Sequence, residues 1–221
     1  DRTIRFASLD RPSIHDFAAL RTDSLRVAAA LDALGLQPGD TIVAQLPNWH
    51  ENMVLWFAAL VRGLVFVPVV HIYGVTELRD ILMRSGAKAL FVPAKWRKID
   101  FLARIDDVGP VETLRQTVVV GGAKDRPGTI AWDDFLNALI FTSGTTSLPK
   151  GVLHSHYSLA RESETANLWT EGASHRGLLV GFPAGHVASL TSMLMPVLCN
   201  FDAVFMDQWD AAQAAELIAQ H

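Results

Sequence analysis

The sequence has 221 residues and is 50% hydrophobic, which is enough for a sizeable core in one large domain or part of a larger protein. Its net charge of -4 and isoelectric point near 6.0, with scattered Lys and Arg residues, exclude a basic nucleic-acid-binding surface. A single cysteine, Cys199, cannot form an intrachain disulfide, and no signal peptide opens the chain, so we expect a cytoplasmic protein.

The first predicted unit is a helix followed by a strand. Between Ser13 and Gly35 the apolar residues recur three, four or seven positions apart, which is the spacing of one helix face. Residues 37–40 predict a turn, and the β-branched and apolar run from Thr41 to Leu46 predicts a buried strand. Pro47-Asn48 ends that strand.

A long apolar run follows. The residues from Met53 to Val70 are nearly all apolar, so a membrane span must be considered. Arg62, Gly63 and Pro68 interrupt the run. They favour a helix that ends near Gly63 and a strand from Leu64 to Val67, both in the core of an α/β domain.

The next unit repeats this order. Thr76 is the predicted N-cap of a helix, apolar residues between Leu78 and Leu82 share one face, and Gly86 ends it. The segment from Ala89 to Val92 predicts a strand. Alternation of helices and strands predicts an α/β fold with largely parallel sheets flanked by helices.

The middle of the chain is more polar. The mixture of charged and apolar residues from Trp96 to Val108 predicts an exposed helix, and Lys95, Arg97 and Lys98 are interpreted as a solvated basic face. Residues from Gln116 to Val120 predict another strand.

The last third of the chain continues the alternation of helices and strands. Asp210 is the predicted cap of the final helix, which runs through Gln220. The other predicted elements are a helix from Tyr157 to Trp169, a strand from Leu178 to Val180, a helix from Leu190 to Leu198 and a strand from Ala203 to Met206.

The stretch richest in chemistry is the loop from Thr142 to Gly151, which follows the apolar run from Leu139 to Phe141. Its two glycines, its hydroxyl side chains, its backbone amides and Lys150 can converge on an anion. This composition predicts a phosphate-binding loop at the carboxyl end of a buried strand, with an ordinary surface turn as the alternative.

Two better-known loops do not fit. A Walker A loop needs Ser or Thr directly after its lysine, whereas Gly151 follows Lys150. A nucleophile elbow at Ser143 would need glycines where the chain has Phe141 and Thr145, which also disfavours an α/β hydrolase.

The residues from Phe141 to Gly151 resemble the signature of the adenylate-forming superfamily, which includes acyl-CoA synthetases, luciferases and peptide-synthetase adenylation domains. They match at every position but one, where Ser147 replaces glycine. The resemblance implies that Lys150 is catalytic and that the loop binds ATP. The ATP and phosphate ligands it implies are Thr142, Ser143, Gly144, Thr145, Thr146, Ser147, Lys150 and Gly151.

A second segment resembles the same superfamily. Pro183, His186 and Ser189 match a Pro-x-x-His-x-x-Gly segment beside the carboxylate pocket, with serine in place of glycine. The resemblance implies that His186 contributes to the acyl-substrate pocket, and its apolar surroundings favour a fatty, alicyclic or aromatic acid. Judged by its neighbours alone, His186 is interpreted as a structural hydrogen-bonding residue, which is the more frequent role of a histidine next to an apolar helix.

The resemblance implies ATP-dependent activation of a carboxylic acid to an acyl-adenylate, followed by thioester formation with coenzyme A. ATP, Mg²⁺ and coenzyme A are the implied cofactors and co-substrates, with the protein ligand of Mg²⁺ outside this chain. Two alternatives stay open: an adenylation domain that loads a carrier-protein thiol, and a noncatalytic ATP-binding module.

The chain lacks the superfamily's later motifs for adenine, ribose and the catalytic lysine, and it starts at Asp1 rather than methionine. We therefore expect residues 1–221 to be an incomplete amino-terminal AMP-binding domain, without the carboxyl-terminal lid domain and inactive alone. The segment that connects Trp132 to the phosphate loop is shorter than the corresponding segment in the superfamily. This difference predicts missing residues between Leu136 and Asn137.

Two further side-chain groups carry reactive or metal-binding atoms. His154 and His156 are two apart, so on a strand they would face the same way and could bind a metal, but no third ligand has a recognisable spacing. Cys199 lies in an apolar segment without a charge that would lower its pKa, so it is not predicted to be a nucleophile.

Overall fold

A computed structural model describes residues 2–121, 129–132, 140–142, 150–152, 154–168 and 177–220. These residues form a five-stranded sheet and a four-stranded sheet with helices packed against them, together with two small hairpins. The predicted α/β class with largely parallel sheets is confirmed. The predicted gap between residues 136 and 137 lies outside the described residues.

The strands alternate with helices along most of the chain. The strands are β1 (Thr3–Ala7), β2 (Ser13–Asp16), β3 (Thr41–Ala44), β4 (Val65–Pro68), β5 (Ala89–Pro93), β6 (Lys95–Trp96), β7 (Ile99–Asp100), β8 (Gln116–Val120), β9 (Thr129–Ala131), β10 (Ile140–Thr142), β11 (Lys150–Val152), β12 (Gly177–Val180) and β13 (Asp202–Met206). The helices are α1 (Phe17–Ala33), α2 (His50–Arg62), α3 (Val75–Ser85), α4 (Phe101–Val108), α5 (His156–Leu168), α6 (Val187–Cys199) and α7 (Ala211–Gln220).

The five-stranded sheet has the order β4-β3-β5-β8-β9, and every neighbouring pair is parallel. Parallel neighbours require crossover connections, which the intervening helices provide. Strand β5 is buried along its whole length because it lies at the centre of this sheet. This burial explains its uninterrupted apolar sequence.

The four-stranded sheet has the order β12-β13-β1-β2 and brings the two ends of the described chain together. Strand β1 pairs in parallel with β13 and antiparallel with β2. The prediction of helix for Ser13–Asp16 is therefore wrong. These residues form β2 because β1 offers its free edge to them.

Helix boundaries follow local capping chemistry. Helix α1 begins after Asp16, whose carboxylate accepts a hydrogen bond from the Ala19 amide at 2.7 Å. Gly63 and Gly86 end α2 and α3 in the left-handed conformation that glycine adopts without strain. Asp210 caps α7 as predicted, because its carboxylate accepts from the Gln213 amide at 2.8 Å.

The predicted N-cap of α3 is wrong by two residues. Thr76 lies inside the helix, and Gly74 precedes its first residue. The Gly74 amide donates to the Glu77 carboxylate at 3.0 Å. This bond satisfies a backbone donor at the helix start, so no hydroxyl cap is needed.

The segment from Trp96 to Val108 is not one exposed helix. It contains the hairpin β6–β7 and then the short helix α4. Trp96 is only 3% exposed, and its indole nitrogen donates to the buried Asp207 carboxylate at 3.3 Å. The helix starts later because Asp100 caps it, accepting from the Ala103 amide at 2.9 Å.

The long apolar run forms α2 and β4, as predicted. Trp56 in α2 and Phe66 in β4 are fully buried in the common hydrophobic core. In the described part of the chain, none of the helices has the length and apolar character needed to cross a membrane.

Candidate functional site

The predicted phosphate loop is enclosed by a hairpin. Strands β10 and β11 pair antiparallel, with Thr142 opposite Lys150 and Phe141 opposite Gly151. Directly opposed residues in such a pair have Cα atoms about 4.5–5.5 Å apart. The backbones of Thr142 and Lys150 therefore meet at the base of residues 143–149, which lie outside the described residues.

The strand that enters the loop, β10, belongs to a two-stranded antiparallel hairpin. The predicted burial of this strand stays a prediction. The hairpin lies beside β4, the edge strand of the five-stranded sheet. The loop is thus supported at both ends by paired backbone.

His186 lies at the start of α6, where the chain turns out of β12. Its Nδ1 accepts a hydrogen bond from the Ala188 amide at 3.1 Å, so the neutral ring carries its hydrogen on Nε2. The ring is exposed and stacks on Phe182, with centroids 5.8 Å apart and planes 19° apart. His186 is a helix cap that also presents a hydrogen-bond donor and an aromatic face to solvent.

The turn before His186 packs tightly against the chain that follows β4. A Cβ atom built on Gly185 would lie 2.3 Å from the Val70 nitrogen and 2.6 Å from the Val69 carbonyl carbon. Only glycine permits this approach. Both the His186 turn and the hairpin therefore adjoin the same strand, β4.

Replacing Gly185 with alanine is expected to lower the free energy of unfolding by about 1–3 kcal/mol, because backbone atoms leave no room for the methyl group. Gly177→Ala is the matched control, since a Cβ at that position meets no atom within 4 Å. Urea unfolding of both variants measures the difference. Equal midpoints for the two variants would contradict the tight packing.

Sequence reasoning missed Asn48, which holds this region together. Asn48 is 1% exposed, and its amide nitrogen donates to the carbonyl oxygens of Phe182 at 2.6 Å and Met206 at 2.9 Å. Its amide oxygen accepts from the Ser189 hydroxyl at 3.3 Å. One side chain thus joins the ends of β12 and β13 to the first turn of α6. An amide directly after a predicted buried strand was the available signal.

Gln45 plays a similar part next to β4. It is fully buried, and its amide nitrogen donates to the carbonyl oxygens of Val70 at 3.1 Å and Tyr73 at 2.9 Å. These bonds fix the segment on which Gly185 packs. Gln45 and Asn48 are therefore positioning residues for the His186 turn.

The alternative candidates lose support. Strand β11 ends at Val152, so His154 lies outside any strand and His156 begins α5. The reason for expecting these two side chains to face the same way is therefore absent. Burial, with a smaller effect of the Glu164 charge, raises the pKa of Cys199, which disfavours a reactive thiolate.

Curated relatives cover most of the chain. Long-chain-fatty-acid–CoA ligase FadD13 of Mycobacterium tuberculosis is 31% identical over 219 residues, covering 92% of this chain and 42% of that protein. The 4-coumarate–CoA ligase of Pinus taeda is 29% identical over 245 residues, covering 100% of this chain and 45% of that protein. The chain thus spans less than half the length of these relatives.

A solved structure has the same architecture. The inhibitor-bound N-terminal domain of FACL13 from Mycobacterium tuberculosis superposes with a TM-score of 0.79 and 25% identity, covering 99% of this chain and 56% of that one. The family described as AMP-binding enzyme matches residues 3–221. Because this match spans nearly the whole sequence, the chain belongs to the AMP-binding enzyme family.

Proposed function

We propose that the protein containing this chain is an acid–thiol ligase that activates a carboxylic acid with ATP and then transfers the acyl group to coenzyme A. The observation that carries the proposal is the hairpin that joins Thr142 to Lys150 around a loop of phosphate-binding composition. Membership of the AMP-binding enzyme family supports the same reaction.

The first step would form a mixed anhydride. A carboxylate oxygen attacks the α-phosphorus of ATP, the bond to the bridging oxygen breaks, and pyrophosphate leaves with its electron pair. Negative charge grows on the leaving group, so donors placed around it lower the barrier. We assign this role to Lys150 as the catalytic residue, together with the other residues from Thr142 to Gly151 that the sequence singles out.

The second step would form the thioester. The coenzyme A sulfur attacks the acyl carbonyl carbon, the bond to AMP breaks, and AMP leaves while the thiol proton is lost. Magnesium would accompany the nucleotide and reduce the repulsion between phosphate charges. We place its protein ligand, together with the lid domain, outside residues 1–221.

We place the acid beside His186. The exposed ring stacks on Phe182, which is itself 51% exposed, so an aromatic and apolar surface is available for an acyl chain. The Nε2–H group can donate to a carboxylate oxygen without disturbing the helix cap made by Nδ1. This surface suits a fatty or other apolar acid better than a charged one.

ATP–pyrophosphate exchange by the full-length protein tests the proposal. We expect exchange with one class of a panel of fatty, aromatic and amino acids, because exchange reports adenylate formation whichever thiol follows. Added coenzyme A should then yield the thioester of the same acid. The isolated 221-residue chain should show no thioester formation.

Three results would overturn parts of this proposal. Exchange that leads to a thioester only on a carrier protein would favour an adenylation domain. ATP binding without exchange for any acid would favour a noncatalytic module. Thioester formation by the isolated chain at the rate of the full-length protein would show that residues 1–221 suffice.

A further inference from the structure

A cluster of three possible metal ligands lies away from the hairpin. His15 comes from β2, Asp23 from α1 and His50 from the start of α2. Each residue offers one ligand atom, and these atoms lie within 4.8 Å of one another. No spacing along the sequence indicates this group, because three separate elements bring it together.

The two imidazole rings are closely packed. Their centroids are 3.5 Å apart and their planes differ by 7°, while Phe6 contacts both rings edge-on. His50 Nε2 donates to Asp23 Oδ2 at 3.0 Å. Ligand atoms around a tetrahedral zinc ion lie about 3.3 Å apart, so this pair is already close to the required separation.

One ring nitrogen of each histidine lacks a hydrogen-bond partner in the described part of the chain. His15 Nε2 and His50 Nδ1 are buried and have no hydrogen-bond partner among the described residues. A buried polar atom without a partner is costly and calls for an explanation. A bound ion supplies the partner for His15 Nε2, whereas an ion held by His50 Nε2 and Asp23 leaves His50 Nδ1 unpaired.

A cleft opens beside the cluster. It has a volume of about 130 Å³, and Asp23 and His50 form part of its lining together with Val54 and Trp132. This volume exceeds the roughly 10–15 Å³ that a cavity needs in order to hold one water. Water could therefore complete the coordination of an ion held by the three side chains.

We propose that His15, Asp23 and His50 bind a divalent transition-metal ion of the zinc class, with a further coordination position facing the cleft. Two imidazole nitrogens and one carboxylate oxygen suit Zn²⁺, Co²⁺ or Ni²⁺, whereas Mg²⁺ and Ca²⁺ prefer oxygen ligands alone. For the ion to bind His50 Nε2, the hydrogen that this nitrogen donates to Asp23 moves to Nδ1 by exchange with solvent, so that the ligand stays a neutral imidazole. A tilt of the His15 ring about its broad χ2 torsion brings the third ligand onto the ion.

Neighbouring charges are compatible with this site. Arg26 Nη1 contacts Asp23 Oδ1 at 3.4 Å, which leaves Oδ2 directed at His50. Glu51 is paired with Arg11 and does not compete for the histidines. The site is independent of the proposed ATP chemistry, since none of its residues belongs to the hairpin or to the His186 turn.

The test uses Co²⁺ as a spectroscopic probe on the full-length protein after chelator treatment. Wild type should develop the visible absorption of Co²⁺ bound with nitrogen ligands, and Zn²⁺ should abolish it by displacement. His50→Gln, His15→Gln and Asp23→Asn should each weaken Co²⁺ binding at least about tenfold. Of the three variants, His15→Gln should disturb folding least, because the His15 ring is partly exposed and contributes less to the hydrophobic core.

Two controls separate this cluster from other histidines. His71→Gln changes a half-buried histidine outside the cluster and should leave Co²⁺ binding unchanged. The double variant His154→Gln/His156→Gln should also bind as wild type does. Equal Co²⁺ titrations in wild type and all three cluster variants, or loss of binding in either control, would overturn the proposal.

Discussion

Replacing Lys150 with methionine is expected to slow adenylate formation by about 10²–10³-fold, which corresponds to roughly 3–4 kcal/mol of lost transition-state stabilisation. The backbone of Lys150 is paired with that of Thr142 at the base of the loop. A positive charge beside the leaving group stabilises the negative charge that develops on pyrophosphate. The ratio kcat/KM in ATP–pyrophosphate exchange measures the loss.

Three further variants make this result specific. Lys98→Met removes a charge from an exposed position outside the site and should leave exchange unchanged. Lys150→Arg keeps the charge with a different geometry and should fall between wild type and methionine. His186→Asn keeps a helix-capping side chain and should raise KM for the acid rather than for ATP. Wild-type exchange by Lys150→Met would remove this residue from the mechanism.

The elements predicted correctly are those specified by nearby residues. The ends of α2 and α3 at Gly63 and Gly86 follow from a conformation that glycine alone adopts cheaply. The cap at Asp210 needs only a carboxylate and an amide three residues later. The apolar runs of β4 and β5 report burial on both faces of a parallel sheet.

The errors arose where distant residues decide the structure. Ser13–Asp16 forms a strand because β1 pairs with it, and nothing in the four residues themselves excludes a helix. The indole nitrogen of Trp96 can be buried because it donates a hydrogen bond to Asp207, which lies 111 residues later in the sequence. Local sequence carries no information about such a partner, so the exposed helix was a reasonable but wrong prediction.

The candidate site residues remain predictions. Composition indicated the phosphate loop, and the resemblance of its segment to the adenylate-forming superfamily indicated His186. The residues that hold the His186 turn in place were missed, because their partners come from β4, β12 and β13. The histidine and aspartate cluster was missed for the same reason, since its ligands are separated along the chain and meet only after folding.

Replacing Asn48 with alanine is expected to lower the free energy of unfolding by about 3–5 kcal/mol. The change leaves the carbonyl oxygens of Phe182 and Met206 and the hydroxyl of Ser189 without the partner they have now. Each buried group left unpaired costs about 1–3 kcal/mol, and water must enter to recover any of it. Urea unfolding followed by tryptophan fluorescence measures the loss.

The unfolding stabilities of two further variants separate the loss of the Asn48 hydrogen bonds from a general effect of replacing an asparagine. Ser189→Ala removes one of the three bonds and should cost about 1 kcal/mol. Asn200→Gly is the matched control, because Asn200 is exposed and ends α6 with a positive φ of 55°, which glycine also adopts. If Asn48→Ala unfolded at the same urea concentration as Asn200→Gly, Asn48 would not be the junction of the two sheets. If instead the stability falls as expected, the His186 turn loses its anchor to β3, and KM for the acid should rise together with the instability.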